Sequence, residues 1–347
     1  MQAALYDPAG GYYQRSDRER WGRAGDYRTS PERSELFAAT FARYFAKLYD
    51  ELKRPEAWSI VEFGGGDGRF AAGVLQTLAD RFPQVFAATR YVVYEVSDDA
   101  LRRARARLTE FAERVEFCSE FEDLPAPRGI YFSNELLDAF PVHRVLKHRD
   151  ELFELYVGVG ASGDFEWSTG ALSTPSLIEF CREYSVELAE GQIVEINLAV
   201  DDWFAQVAAR LAEGFVITVD YGAESSELYD PAQRQHGTLR AFSRHGFVDD
   251  VLAQPGEYDI TSSVNWTQVM AVAERHGLSV LEFVAQDKFL LNAGVLEELE
   301  LILAGAGSAA EKLSLSTRAR EMILPGGMAS SFQVLVLKRE GGTVDGT

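Results

Sequence analysis

Val61-Glu62-Phe63-Gly64-Gly65-Gly66-Asp67-Gly68 joins an apolar run to a segment with helical spacing that begins at Arg69. Glycines let a backbone turn tightly and let a ligand approach it closely, while the first turn of a helix offers unpaired N–H groups. The spacing is E-x-G-x-G-x-G; it does not complete the dinucleotide pattern G-x-G-x-x-G, because residue 69 is arginine. The stretch therefore predicts a strand, a glycine loop and a helix around a nucleotide-type ligand, the alternative being an ordinary strand-to-helix turn.

Apolar runs of strand length recur along the chain, and segments with helical spacing lie between several of them. Such alternation is typical of a doubly wound α/β fold, with a mainly parallel sheet covered by helices on both faces. A helical insert of about Leu291 to Leu324 separates the last two runs, which allows an antiparallel strand at the edge. The predicted strands are Trp58–Phe63, Arg90–Val96, Val115–Cys118, Gly129–Ser133, Phe215–Tyr221, Ser279–Val284 and Phe332–Lys338.

Two regions interrupt this alternation. Residues 143–167 show period-2 patches on either side of a Gly160–Asp164 turn, a pattern that predicts a β-hairpin arm. Residues 223–265 are loop-rich with little periodicity, and long loops inside a compact domain are more often functional than idle. We therefore predict one Rossmann-like core of seven strands with inserted segments.

The amino-acid composition excludes several classes of partner and of binding site. The chain has 34 Lys plus Arg against 54 Asp plus Glu, a formal charge of −20. Proteins that bind nucleic acid need a basic surface, so we expect no nucleic-acid partner, whereas a cationic partner is compatible with this charge. Cys118 and Cys181 are too few for a disulfide framework or a four-thiolate zinc site. The sequence shows neither a membrane-spanning run nor a secretory or transit signal, which predicts a cytoplasmic protein.

The glycine loop resembles motif I of class I S-adenosylmethionine (SAM) methyltransferases. The resemblance implies that Glu62 lies near the methionine ammonium of SAM, and that Gly64, Gly66 and Gly68 pass beneath the ligand. Glu95, one strand later, occupies the position from which such enzymes bind the two ribose hydroxyls, a task that suits a bidentate carboxylate. SAM is thus the expected cofactor, with S-adenosylhomocysteine as its product.

A candidate acceptor site follows the fourth predicted strand, where Asn134 and Glu135 begin a turn that carries Asp138. In this topology the fourth strand lies beside the first, so Asn134 and Glu135 are expected to face the methyl donor. Two carboxylates there could hold a guanidinium, which keeps its proton in water and therefore needs an acidic cage. The alternative is that Asp138 caps a helical turn and Glu135 is solvated.

With these residues in view, the chain resembles the MidA-like family of SAM-dependent methyltransferases, which includes the mitochondrial protein-arginine methyltransferase that assists assembly of respiratory complex I. The family's usual loop reads ELGPGRGT, so Gly65 stands in place of proline and Asp67 in place of a base. The blocks that carry the resemblance are Tyr6-Asp7-Pro8, Gly25-Asp26-Tyr27-Arg28-Thr29-Ser30-Pro31-Glu32, Asn134–Pro141, Asp220-Tyr221-Gly222, Gly237-Thr238-Leu239-Arg240, His245, Pro255-Gly256 and Asp259-Ile260-Thr261.

This resemblance implies further site residues. Thr29 and Ser30 lie in the block expected to fold over the cofactor. Tyr221 is expected to pack on the acceptor side chain, with the alternative of a plain strand-terminal turn. His245 either binds substrate or braces its loop, and Asp259 belongs to the same substrate-side region. Asp220 is a possible further member of the acidic cage.

The combined hypothesis is a SAM-dependent N-methyltransferase that modifies a protein side-chain nitrogen, with arginine as the expected acceptor, in a partner such as a respiratory-complex subunit. A homodimer is possible. The rivals are a small-molecule methyltransferase on the same fold and a non-catalytic SAM-binding assembly factor. The expected segments are 1–57 (covering the cofactor site), 58–142 (first part of the SAM-binding core), 143–199 (β-arm), 200–222 (core), 223–265 (substrate-side loops), 266–339 (core completion with a helical insert) and 340–347 (flexible tail).

Overall fold

The structure is a computed structural model that describes residues 1–15, 35–124, 128–243, 246–324 and 331–341. Thr29, Ser30 and His245 lie outside these residues, as does most of the tail.

The strands and helices follow one another in the alternation that the sequence predicts. The strands are β1 Trp58–Phe63, β2 Thr89–Tyr94, β3 Val115–Cys118, β4 Arg128–Asn134, β5 His143–His148, β6 Glu151–Val159, β7 Phe165–Gly170, β8 Ile193–Ile196, β9 Glu213–Ala223, β10 Arg240–Ser243, β11 Gly246–Val248, β12 Asp259–Thr261, β13 Val264–Asn265, β14 Ser279–Ala285 and β15 Phe332–Arg339. The α-helices are α1 Gln2–Tyr6, α2 Glu35–Glu51, α3 Arg69–Arg81, α4 Pro83–Ala88, α5 Asp98–Arg107, α6 Ser176–Glu183, α7 Ala199–Arg210, α8 Ser225–Leu228, α9 Trp266–Arg275, α10 Gln286–Asn292, α11 Val295–Gly305 and α12 Ala309–Ile323.

The main sheet has the strand order β14-β15-β9-β4-β1-β2-β3, with β13 pairing to β9 off this path. The strands β1, β2, β3, β4 and β9 are joined in parallel, and β15 is antiparallel to both of its neighbours. The predicted mainly parallel sheet, and the position of β4 beside β1, are confirmed. The antiparallel strand, however, lies inside the sheet: the chain crosses α10 to α12 after β14 and returns between β14 and β9.

Helices cover both faces of this sheet, because its central strands are apolar on both sides. On one face, Phe41 of α2 and Phe70 of α3 pack against Phe132 of β4, with the Phe70 and Phe132 ring centroids 4.5 Å apart. On the other face, Trp203 of α7 and Trp266 of α9 belong to a second apolar cluster. The sheet is thereby fixed, and the loops at the carboxyl ends of its strands are held in place.

The first insertion is a separate antiparallel sheet with the order β7-β6-β5-β8, which is larger than the single hairpin predicted from the sequence. The Gly160–Asp164 turn does join β6 to β7, but the preceding patch divides into β5 and β6 at Arg149 and Asp150. Both residues have positive φ, of 50° and 62°. No glycine or proline signals that turn, and β8 comes from a distant part of the chain, so the sequence pattern alone missed both.

The second insertion is more ordered than its loop-rich sequence indicated. It contains β10, which pairs antiparallel with β11 and with β12. Leu5 and Tyr12 from the N-terminal segment form a small apolar core with Ala241 and Ile260. The N-terminal segment and this insertion therefore pack as one layer. Among the described residues, no helix has the length and apolar character needed to cross a bilayer.

Candidate functional site

The glycine loop leaves β1 at its carboxyl end with three residues in the left-handed region. Gly64, Gly66 and Gly68 have φ values of 67°, 52° and 75°. Residues other than glycine rarely adopt this backbone conformation. The backbone N–H groups of Gly64 and Gly65 donate to the carbonyl of Tyr94, at 2.9 and 3.3 Å. The loop is therefore attached to the end of β2, and the second of these bonds uses an N–H that a proline at position 65 would lack.

Gly68 is required by packing as well as by conformation. A Cβ built there would lie 3.0 Å from the Cβ of Ala104 on α5. Asp67 beside it is buried, and its carboxylate forms an ion pair with Arg107 of the same helix at 2.7 Å. The acid that replaces a base in this loop thus has its counter-charge on α5.

The arginines of α5 form a solvated face, with Arg102, Arg105 and Arg107 exposed. Arg102 and Arg103 pair with Asp99 on this face, and Arg105 lies over the Phe117 ring at 4.5 Å.

Glu95 is held so that its carboxylate faces the glycine loop. One oxygen accepts from the N–H of Gly66 at 3.0 Å, and the other accepts from the N–H of Ser97 at 2.9 Å. Glu62 is buried behind the loop, where it accepts from the Tyr91 hydroxyl at 2.8 Å. Burial raises the pKa of Glu62 to about 8. Both predicted cofactor acids therefore lie against the same loop.

The candidate acceptor turn begins where β4 ends. Asn134 donates from its side-chain amide to a carboxylate oxygen of Glu135 at 3.1 Å. Glu135 has a positive φ of 51°, and its N–H donates to the carbonyl of Val219 on β9 at 2.8 Å. A non-glycine residue in this conformation costs about 1 kcal/mol, and such strain concentrates at functional sites.

Asp220 supports this turn from below. One of its carboxylate oxygens accepts from three successive N–H groups, those of Leu136, Leu137 and Asp138. The other accepts from the N–H of Tyr221 at 2.8 Å. Asp220 is fully buried, and burial raises its pKa to about 7. Its role is therefore to hold the backbone, which corrects the suggestion that it joins an acidic cage around the acceptor.

Asp138 is a buried acid that is surrounded by other acids. It is 3 % exposed, and burial, followed by the charges of Asp220, Glu135 and Asp259, raises its pKa well above the usual range. A cation placed beside these carboxyls would favour their ionised forms. The cluster is therefore suited to a positively charged ligand.

The N-terminal segment closes one side of this cluster. The Tyr13 hydroxyl donates to Asp259 at 2.6 Å, and the Tyr6 hydroxyl donates to the carbonyl of Ala139 at 2.9 Å. Burial and the nearby charges of Asp259, Asp138 and Glu95 raise the pKa of Tyr6. Tyr6 thus lies between the two predicted halves of the site.

Four buried side-chain oxygens near this cluster form no hydrogen bond of good geometry among the residues that the structure describes: Oδ1 of Asn134, Oδ1 of Asp138, the hydroxyl of Tyr221 and Oγ1 of Thr261. Three of them face one another, because the Tyr221 hydroxyl interacts with both Asp138 and Thr261. Buried polar atoms are nearly always well paired, so these make the ends of β4, β9 and β12 a candidate place for a polar ligand. The described residues contain no group of His, Cys, Asp and Glu side chains arranged to hold a metal ion.

Comparison with known families gives the class of ligand. Residues 40–284 match the family described as "Putative S-adenosyl-L-methionine-dependent methyltransferase". The chain belongs to this family. The match includes the glycine loop, Glu95 and the acceptor turn.

Proteins that are similar to this chain are also named as methyltransferases. A protein of Mus musculus named protein arginine methyltransferase NDUFAF7, mitochondrial, is 25% identical over 97% of this chain and 79% of its own length. Its Drosophila melanogaster homolog is 26% identical over 97% and 80%. A crystal structure of a "likely methyl transferase" from Burkholderia thailandensis bound to S-adenosyl-homocysteine superposes with a TM-score of 0.85, at 30% identity, over 97% of this chain and 86% of that one.

The residues of this methyltransferase fit its cofactor. Glu95 presents a bidentate carboxylate beside the loop, and the unpaired Oδ1 of Asn134 lies at the end of the adjacent strand β4. Gly64 and Gly66 have a positive φ that favours glycine, so the loop carries no side chain at these two positions. Gly68 serves the packing of the loop on α5 instead, because a Cβ at this position would point toward that helix.

Sequence reasoning did not single out Tyr6, Tyr13 and Thr261 as site residues. The aromatic cluster near the N-terminus was a visible signal, but nothing in its spacing links Tyr13 to Asp259, which is 246 residues away. Only the packing of the N-terminal segment on the second insertion brings them together.

Proposed function

We propose that this methyltransferase transfers a methyl group from SAM to a guanidinium nitrogen of arginine in a partner protein. The observation that carries the proposal is the buried acid Asp138, which lies among the carboxyls of Asp220, Glu135 and Asp259 and whose Oδ1 forms no hydrogen bond of good geometry among the described residues. The relatives named as protein arginine methyltransferases support the same acceptor.

An acidic cage suits arginine for a physical reason. The guanidinium stays protonated near neutral pH and offers a planar fork of N–H donors that matches carboxylates. Asp138 and Glu135, three residues apart on a braced turn, would hold two sides of that fork. Positioning one nitrogen in line with the methyl carbon is worth several powers of ten in rate.

Each residue then has a defined task. When bound, SAM supplies a methyl carbon on a sulfonium centre. Glu95 accepts hydrogen bonds from the ribose hydroxyls, while Asp138 and Glu135 orient the acceptor nitrogen. Transfer would break the methyl–sulfur bond and leave S-adenosylhomocysteine. The proton that the nitrogen loses would pass to Asp138, because a carboxylate with a raised pKa is the better base.

The enclosure of the site supports this assignment. Tyr6 and Tyr13 are partly buried beside the acids, and Tyr221 adds a buried hydroxyl. A site with little water strengthens the attraction between carboxylate and guanidinium, because the local dielectric is lower.

The test is methylation of defined peptides. Purified protein is incubated with SAM and with matched peptides that contain a single arginine or a single lysine, and mass spectrometry locates any added methyl. We expect a methyl on arginine and none on lysine. Modification of lysine alone, or of small amines only, would contradict the acceptor assignment, while SAM binding without any transfer would favour the non-catalytic assembly factor.

The identity of the partner rests on the resemblance to the MidA-like family. We infer a protein substrate, with a respiratory-complex subunit as the candidate. Cytoplasmic location and a possible homodimer stay predictions from the sequence.

A further inference from the structure

The hairpin of β6 and β7 extends past the rest of the small sheet. Strand β5 begins at His143, and its pairing with β6 runs from Arg144 opposite Leu155 to His148 opposite Glu151. Residues 156–159 of β6 therefore continue beyond the start of β5, and only β7 pairs with them.

This overhang lies at the end of the small sheet that adjoins the acceptor turn. His143 follows the turn residue Asp138 by only five positions, and it pairs with Ile196, the last residue of β8. The next residue, Asn197, donates from its side chain to the carbonyl of Leu137 at 3.3 Å. At about 3.3 Å per residue, residues 156–159 extend roughly 13 Å past this junction.

One face of the overhang is apolar and exposed. Val157 pairs with Trp167 and Val159 pairs with Phe165, so these four side chains share a face of the hairpin. Their exposed fractions are 49%, 37%, 67% and 47% in that order. An exposed cluster of large apolar residues marks a surface that contacts another molecule.

The backbone of the overhang is also available on one side. Within the described residues, β7 is the outer strand of its sheet and has β6 as its single neighbour. An edge strand of this kind is a template for an extended segment, which adds to the sheet through main-chain hydrogen bonds.

The charge of the hairpin and its neighbouring residues indicates what kind of segment would bind to β7. Residues 150–181 contain six acids and no lysine, arginine or histidine. Asp164 lies in the turn just before β7, and Glu166 of β7 lies on the opposite face of the strand from Phe165 and Trp167. A strand added to β7 would therefore alternate between apolar positions and a position that faces Glu166. Arg144 at the base is paired with Glu195 at 3.0 Å, and its guanidinium also lies over the Trp167 ring, 4.4 Å from the ring centroid. An extended segment with basic and apolar residues is the complement of this surface.

We propose that β7 and the apolar face formed by Val157, Val159, Phe165 and Trp167 dock an extended, basic segment of the methyl-accepting protein. This inference rests on the proposed function, because it assigns the partner that brings arginine to the acceptor turn. Docking next to the turn raises the local concentration of the arginine, so that affinity comes from the hairpin and chemistry from the buried acids.

The test uses the full-length chain and a short end-capped peptide in which arginine and valine alternate. We expect calorimetry to detect binding at peptide concentrations below about 1 mM. Amide hydrogen exchange at residues 165–170 should slow by about tenfold in the complex. Binding that is equally tight for a glutamate–valine peptide, or for an arginine–valine peptide N-methylated at alternate residues, would overturn the charge or the strand-pairing part of the proposal.

A double variant, Val159→Ser with Phe165→Ser, removes the apolar contact from exposed positions. We expect it to weaken peptide binding about tenfold. Leu281→Ser on β14 is the matched control, because Leu281 is 50% exposed on a strand of the other sheet. Unchanged binding in the double variant overturns the proposal, and so does a dimer in sedimentation that this variant disperses, because the occupant would then be a second copy.

Transfer measurements separate this inference from the proposed function. In the double variant we expect KM for the alternating peptide to rise about tenfold with kcat unchanged, and KM for a single-arginine dipeptide to stay the same. Peptide binding without methyl transfer to any arginine would overturn the proposed function and leave the docking surface. Methyl transfer at equal KM in both proteins would overturn the docking surface alone.

Discussion

Asp138 and Asp220 are neighbouring buried carboxyls with different surroundings. Asp220 accepts from four backbone N–H groups, whereas Asp138 faces the Tyr221 hydroxyl and its Oδ1 forms no hydrogen bond of good geometry among the described residues. A carboxylate that is saturated by backbone donors shapes the chain, and a less well paired one can turn to a ligand. We therefore propose that Asp220 supports the turn and that Asp138 contacts the acceptor.

Replacing the recognition acids should separate catalysis from cofactor binding. In Glu135→Gln and Asp138→Asn, we expect methyl transfer to fall about 100-fold or more, because a carboxylate that orients the acceptor is lost. SAM affinity should stay within about threefold, since Glu95 and the glycine loop are intact. Single-turnover rates and calorimetry with SAM provide the two measurements. Equal losses in both would indicate that these acids support the fold or the cofactor.

Asp220 should reveal itself in the pH dependence. Its charge helps to raise the pKa of Asp138, and a cationic acceptor binds the ionised form of Asp138. We expect kcat/KM to rise with pH as Asp138 ionises. In Asp220→Asn that rise should move to lower pH by about one unit, because a like charge is removed.

The quantity measured for Asp220→Asn is the pH at which the rising limb of kcat/KM reaches half of its maximum, and the maximum itself is not compared. Loss of the turn's support will lower the rate at every pH, so the comparison uses profiles normalised to their maxima. Asp202→Asn, at an exposed position on α7, is the control and should leave the limb in place. If the rise of kcat/KM occurs at the same pH in Asp220→Asn, then a group other than Asp138 is responsible for the pH dependence.

The placement of candidate residues at strand ends was predictable, and that of residues brought in by packing was not. Glu95, Asn134 and Glu135 follow from the rule that ligands bind at the carboxyl ends of parallel strands. The function of Asp220 was misjudged, because the sequence does not reveal which N–H groups a carboxylate meets.

Among the elements, the connection from β1 to α3 depends on glycine for two separate reasons. Gly68 has a left-handed backbone and also faces Ala104 of α5. Gly163, in the β6–β7 turn, has a φ of 91° with no heavy atom within 4 Å of a built Cβ. Both glycines have a strained backbone for any other residue, but only Gly68 is also crowded, so comparing substitutions at the two positions separates backbone strain from crowding.

Gly68→Ala should destabilise the protein more than Gly163→Ala. Both place a side chain in the left-handed region at about 1 kcal/mol, and Gly68→Ala adds overpacking of roughly 1–3 kcal/mol. Urea unfolding of the two variants and the parent measures the difference. Equal losses would mean that α5 shifts to accommodate the methyl group. SAM binding should weaken only in Gly68→Ala.

Elements with strong local periodicity were predicted with good bounds, such as Trp58–Phe63 and the helix that begins at Arg69. Those that depend on distant pairing were missed. Strand β8 reads as strand only because β5 lies beside it, and β10 to β12 are short segments stabilised by the N-terminal layer. Tertiary contacts decided these segments, not local pattern.

At the scale of the whole molecule, several acids are buried in a chain that already carries a charge of −20. Burial raises the pKa of Glu62 to about 8 and that of Asp220 to about 7, and it also raises that of Asp138. In the unfolded chain such groups titrate near pH 4. Between those values the folded state binds more protons than the unfolded state.

The free energy of unfolding should therefore fall as pH rises from about 4 to about 8, by on the order of a few kcal/mol. Urea unfolding at several pH values in one salt concentration measures this. Glu62→Gln, which keeps an acceptor for the Tyr91 hydroxyl, should flatten the dependence at its upper end. Glu110→Gln, at an exposed position, should not. Stability that increases over this interval would contradict the raised pKa values.

The place of β15 in the sheet has a consequence for biosynthesis. This strand lies between β9 and β14, and its residues 332–339 are the last of the main sheet to be made. On the ribosome, β9 and β14 wait with their facing edges open until those residues emerge. Both edges lack their shared neighbour from the completion of β14 at Ala285 until β15 is made, and termination within that interval would leave two unpaired strand edges open to self-association.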